Sequence, residues 1–200
     1  MKYTKHVWGI LAAFFFFTAL SAQPADQSAR YRIKVWGMNI GEFRVSQKSE
    51  DGDTRIEAVT DVEVKMIFTY RVKYIQESIY RNGSLWNSHV QTVKDDKINS
   101  DFWLKKTGDG YLLIDKGDSS SIRENITYSG SLLYFNEPRQ VSSIFKERSG
   151  ERQAIRNIAK NTYAILDEKG KKTNEYEYRD GVLYRASLVH SLAVIHLERI

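Results

Sequence analysis

Apolar residues alternate with polar ones along most of this chain, at the period of two that marks half-buried strands. In YRIKVWGMNIGEFRV (31–45) the alternation changes phase twice: Tyr31, Ile33 and Val35 are odd, Met38 and Ile40 even, Phe43 and Val45 odd again. A one-residue slip turns every later side chain to the other face of a sheet. The first slip, at Trp36–Asn39, reads as a tight hairpin around Gly37. The second, at Gly41–Glu42, reads as a β-bulge, with glycine supplying unusual dihedrals. A bulge adds twist, so the sheet is expected to curl.

From Thr54 to Tyr74 the pattern is strongest. Ile56, Ala58, Thr60, Val62, Val64, Met66, Phe68, Tyr70, Val72 and Tyr74 share the even positions, while charged residues dominate the odd ones. As one strand this run is about 65 Å long at roughly 3.3 Å per residue, well beyond natural strands. It must turn, and Met66–Thr69, with apolar residues on both parities, is the expected place. Asn82-Gly83 and Asp180-Gly181 are hairpin pairs that tolerate positive φ. Lys94–Lys97, Thr107–Gly110 and Glu168–Lys172 are polar turns. One helix is expected near 138–148, from Pro138 at its first position, Val141, Ile144 and Phe145 on one face, and Gly150 at its end. Val182–Leu197 reads as strand. The expected fold is all-β: one curled antiparallel meander, open or closed like a barrel, with that single short helix.

The start of the chain changes the picture. Lys2 and Lys5 precede the uncharged run Ile10–Leu20, followed by Ser21, Ala22 and Gln23. This is the pattern of a secretory signal peptide cleaved between Ala22 and Gln23. The run is shorter than the roughly 20 residues that span a bilayer. Domains therefore divide as 1–22 signal peptide, 23–30 disordered lead-in and 31–200 a single β domain. Without the two lysines of the signal, the formal charge falls from +5 to +3. The basic residues are interspersed with acidic ones, and no cluster marks a nucleic-acid surface. There is no cysteine, so a lipoprotein anchor, disulfides and thiol chemistry are all excluded. Export without disulfides fits a bacterial envelope, periplasmic or extracellular.

Four stretches, YRIKVWGMNIGEFRV, FTYRVKYIQESIYRNGSLWNSHVQT, SLLYFNEPRQVSSIFKERSG and TYAILDEKGKKTNEYEYRDGVLYRASL, together resemble a family of exported bacterial proteins known only as a domain of unknown function. The resemblance implies a strongly curved antiparallel β-structure. It implies no activity, no cofactor and no catalytic residue.

Direct searches for chemistry return little. His190 and His196 stand about 20 Å apart along a strand, too far to share a metal ion, and with His89 they read as structural or surface residues. Gly130-Ser131 lacks the second half of a nucleophile elbow. Asp51, Asp53, Asp95 and Asp96 sit in turns, where aspartate is ordinary. Neither a catalytic set nor a cofactor or metal site is therefore assigned. Ala58, Thr60, Val62, Tyr70 and Tyr74 are the candidate lining of an apolar space inside the curl, because Ala58 and Thr60 leave room. The leading reading is a non-enzymatic envelope protein that binds an apolar ligand, a lipid or an envelope protein. The alternatives are a glycan hydrolase with paired carboxylates and a structural or assembly protein. The N-terminal reading is checked directly: sequencing the exported protein should find Gln23 first, and a membrane-retained chain starting at Met1 would overturn it.

Overall fold

The computed structural model describes residues 26–65, 69–190 and 192–200. The signal peptide and its cleavage point, and the bend at 66–68, lie outside the described residues. The strands are β1 (Gln27–Val35), β2 (Met38–Glu50), β3 (Asp53–Lys65), β4 (Thr69–Arg81), β5 (Ser84–Lys94), β6 (Lys97–Thr107), β7 (Gly110–Asp115), β8 (Asp118–Ile122), β9 (Ser143–Lys146), β10 (Glu151–Ala159), β11 (Thr162–Leu166), β12 (Lys172–Arg179), β13 (Val182–Val189) and β14 (Val194–Arg199). They form one antiparallel sheet in the order β8-β7-β6-β5-β4-β3-β2-β1-β14-β13-β12-β11-β10-β9.

The chain thus meanders from β1 outward to β8, then returns to start a second meander at the far edge. That second meander ends when β14 pairs with β1, Tyr31 opposite Arg199 and Val35 opposite Ile195. The sheet does not close on itself, because β8 and β9 are its two edges. Between them runs the crossover 123–142, which is pinned on both sides. Leu85 of β5 donates its N–H to the Ile126 carbonyl at 2.7 Å, and Phe145 of β9 donates to the Tyr128 carbonyl at 3.2 Å. Ile126, Ser129, Ser131, Leu133 and Phe135 of this segment are buried. Backbone groups at a buried sheet edge need partners, and the crossover supplies some of them.

Both phase slips are present. Trp36 and Gly37 form a two-residue turn with φ of 50° and 78°. Ile33 then faces Gly41 while Lys34 faces Asn39, leaving Ile40 as the extra residue of a bulge. The reason for glycine differs from the expected one. Gly41 has no positive φ. A Cβ there would instead run into the Asp61 carbonyl and come within 2.9 Å of Val62 Cα. Close approach of β3 requires the glycine. Asn82-Gly83 (φ 49° and 72°) and Asp180-Gly181 (φ 51° and 77°) make the expected hairpins.

Three expectations are corrected. The helical element is a single 3-10 turn at Gly130–Tyr134, and the 138–148 stretch instead carries β9 at Ser143–Lys146. Gly150 does take a left-handed conformation, φ 71°, but at the β9–β10 turn. An isolated helix of about three turns is marginal by itself, whereas a strand there pairs with β10 and with the crossover. Val182–Leu197 is two strands, β13 and β14, folded back at 190–193 with the His190 N–H on the Ala193 carbonyl at 3.1 Å. Gln27–Arg30, expected in the lead-in, begin β1, and Ala29 is buried.

Tyrosine rings fill much of the interior. Their hydroxyls reach backbone carbonyls across it: Tyr31 to Leu183 at 2.8 Å, Tyr111 to Leu85 at 2.7 Å and Tyr178 to Leu133 at 2.8 Å. Buried phenols satisfied in this way add packing area without an unpaired polar group. Gly41→Ala should cost about 1–3 kcal/mol, the scale of overpacking against atoms that cannot move aside. Urea unfolding at wild-type stability would show that β2 and β3 do not approach as described.

Candidate functional site

Where the tyrosines leave the interior unfilled, a cavity of about 180 Å³ opens. Its walls come from β4 (Tyr74, Gln76), the 3-10 turn (Leu133, Tyr134), the β9–β10 connection (Glu147) and β12 to β14 (Tyr176, Leu188, Leu197). One wall is leucine and the other carries hydroxyl, amide and carboxylate groups. Lys146 and the exposed Arg148 also border it.

The polar wall rests on a buried network. Glu147 is only 4 % exposed. Its Oε1 accepts hydrogen bonds from the Ser129 hydroxyl and, at 3.2 Å, from the Ser131 N–H. Ser129 also bonds Tyr80 Oη, which lies 3.2 Å from Ser131 Oγ. Glu147 Oε2 takes no hydrogen bond from the described residues, and neither does Tyr134 Oη; both residues line the cavity. Tyr74 donates to Gln76 Oε1 at 3.0 Å, and Gln76 Nε2 reaches Ser78 Oγ at 3.4 Å. Asn174 donates to Tyr176 Oη at 3.2 Å.

Burial raises the Tyr74 and Tyr134 hydroxyl pKa values well above those of an ordinary phenol, with the nearby Glu147 charge adding to it. Burial pushes Tyr176 up to about 12, against the bond from Asn174. These hydroxyls are therefore neutral donors and acceptors at physiological pH. The arrangement offers a ligand one free carboxylate oxygen, one free phenol and an apolar wall.

Of the residues expected to line such a space, Tyr74 does. Ala58 is fully buried in the core cluster and not at the cavity. Thr60 faces Tyr74 across the β3–β4 ladder and is half-buried, as is Val62, which packs on the core. The side chain of Tyr70 lies outside the described residues. Sequence reading missed Glu147, Ser129, Tyr134 and Gln76. Glu147 sits in Lys-Glu-Arg, which reads as a solvated charge run, and inward Gln76 and Ser78 break the apolar alternation. Ser131 was weighed only as a nucleophile. The three histidines hold local partners: His89 bonds Asp101 at 2.6 Å and stacks on Trp103, His196 lies 3.1 Å from Ser187 Oγ, and His190 accepts the Leu192 N–H at 3.4 Å.

On the outer surface, a groove of about 790 Å³ includes Glu50, Asp51, Asp53, Arg81 and Trp86. Arg81 grips the Asp53 carboxylate through two nitrogens and holds its pKa below the usual range.

The family described as Domain of unknown function (DUF6134) matches residues 31–200. Among solved structures, a β-barrel-like protein of the domain of unknown function DUF1849 from Brucella abortus is similar, with a TM-score of 0.61 at 8% identity. The likeness covers 86% of this chain and 94% of that one, and it shows a shared fold. No curated protein matches the sequence.

The buried network makes a stability prediction. Ser129→Ala removes a partner from both Tyr80 and Glu147 and should cost about 1–3 kcal/mol, the usual penalty for stranding buried polar groups. Denaturant titration measures it, and an unchanged midpoint would mean that the network does not form.

Proposed function

The chain belongs to the DUF6134 family, matched across residues 31–200, and on the strength of its inner cavity we propose that it is a non-enzymatic exported envelope protein that binds one end of an amphipathic ligand. The observation that carries this reading is the cavity's division into a leucine wall and a polar wall, with Glu147 Oε2 and Tyr134 Oη unpaired. Both atoms face the cavity and are not sealed in the core, so a ligand N–H or O–H placed there takes up a hydrogen bond that water otherwise supplies.

Size narrows the ligand. An apolar cavity of about 150 Å³ holds a benzene-sized guest, so 180 Å³ takes a head group with a few methylenes. A whole acyl chain needs more room, as drug-sized pockets run to about 300–1,000 Å³. The remainder of a lipid would trail out past Lys146 and Arg148. Glu147 is the one carboxylate among the described residues of this cavity, whereas the outer groove is lined by Glu50, Asp51 and Asp53, and only there could the paired-carboxylate alternative find its two groups.

The test uses short alkylamines and alkanols, followed by protein NMR of a chain beginning at Gln23, which carries every described strand. Binding should saturate and shift resonances of residues around Tyr134 and Leu188. Leu188→Phe, which fills the cavity, should weaken binding by about tenfold or more, the scale on which a pocket discriminates size. Glu147→Gln should weaken the amines more than the alkanols. No saturable binding by the folded protein would sink the proposal.

A further inference from the structure

Hairpin turns alternate between the two ends of the sheet. The end that carries the polar turns Asp95-Asp96 and Lys116-Gly117 on one meander carries an apolar cluster where the two meanders meet. The β1–β2 turn and the β13–β14 turn stand side by side at one end, because Val35 pairs with both Met38 and Ile195, and Val189 pairs with Val194. Five large apolar side chains are exposed there: Trp36, Met38, Val189, Leu192 and Val194. Trp36 is 65 % exposed and Leu192 78 %.

Trp36 is the informative residue. It occupies the first position of a two-residue turn with φ of 50°, a conformation that favours asparagine, aspartate or glycine. The corresponding positions of five other turns hold Asp51, Asn82, Asp95, Lys116 and Asp180, all with positive φ, so only Lys116 among them is also a long side chain. Trp36 is the one aromatic residue at these positions, and a bulky side chain in the left-handed region is uncommon. Most of the Trp36 surface, 65 %, is left in solvent, which leaves the ring free to touch something outside the protein.

The neighbouring β11–β12 connection lies at the same end, since Asn174 pairs with Leu188. It carries Lys169 and Lys171, which have no acidic side-chain partner among the described residues. The Asp167 carboxylate is taken up by their backbone N–H groups at 3.0 and 2.8 Å. Lys172 pairs with Glu175 at 2.7 Å. Glu168 and His190 are the other titratable groups on these two connections. Leu188, next to the patch, also lines the cavity.

We propose that this end of the sheet docks on an anionic lipid surface, with Trp36 and Leu192 inserted at the interface and Lys169 and Lys171 over the headgroups. Tryptophan is favoured where one side of the ring is apolar and the other wet. Apolar tips flanked by lysines bind anionic membranes through both terms. Five side chains on two turns are also far short of the roughly 20–30 residues a side that a stable protein interface uses. The inference stands on the outside of the sheet and holds whether or not the cavity takes a ligand.

The test is co-sedimentation of the chain beginning at Gln23 with vesicles of phosphatidylglycerol and phosphatidylcholine, and with phosphatidylcholine alone. Binding is expected on the anionic vesicles, with brominated lipid quenching Trp36. The double variant Trp36→Asn, Leu192→Ser should lose about tenfold or more in partitioning, given the apolar area withdrawn. Lys169→Gln with Lys171→Gln should reduce binding to anionic vesicles only. Asparagine suits the turn, so thermal unfolding of the Trp36→Asn protein should show no loss of stability, and a folding failure cannot imitate the result. Equal partitioning of wild type and double variant, or no vesicle binding by the folded protein, would overturn the proposal. So would sedimentation velocity showing a dimer that the double variant abolishes, which would assign the patch to a second copy.

Discussion

A fourteen-stranded sheet with edges at β8 and β9 leaves backbone groups to satisfy, and the crossover 123–142 takes up some of them at β9 and at the start of β5. It bonds to β5 through Ile126 and to β9 through Tyr128 and Ser129. Side chains finish the seam. Gly150 leaves room for Leu113 and Ile122, and Arg152 pairs with Glu124. What remains exposed at β8 is the serine-rich Asp118–Ile122, a short polar edge of the kind that resists pairing with other chains. Had the sheet closed by its own ladder, the crossover would have no place inside, and the Ser129–Glu147 network would not exist.

Without disulfides, the domain relies on wide aromatic packing. Tyrosine suits this because one end of the ring is apolar and the other finds a carbonyl. Tyr31, Tyr111 and Tyr178 act as struts between distant parts of the chain, and the cavity lies among Tyr74, Tyr134 and Tyr176, whose hydroxyls are not spent on such struts. The same residue type therefore both fills the interior and leaves donors for a ligand.

The cavity extends toward the exposed apolar tips through Leu188, the neighbour of Val189, and toward the opposite end through Leu183. The opposite end carries turns such as Asp51-Gly52, Asn82-Gly83 and Asp180-Gly181.

Local signals in the sequence determined what local physics controls. Period-two alternation marked the strands, left-handed pairs such as Asn82-Gly83 marked the hairpins, and the two slips in 31–45 marked a turn and a bulge, since each depends on a few adjacent residues. Helical spacing at Val141, Ile144 and Phe145 misled, because pairing with β10 and the crossover outweighs the weak preference of a short isolated helix. A strand ending within Val182–Leu197 was hidden, as this stretch carries no glycine, proline, asparagine or aspartate to signal a turn. Only the tertiary structure decided that Ala58 packs in the core while Tyr74 faces a cavity, although both sit on one face of the same run. It alone buried Glu147, whose neighbours Lys146 and Arg148 make it read as solvated. Burial of a single carboxylate depends on Ser129 and Ser131, eighteen and sixteen residues away, and no local pattern encodes that meeting.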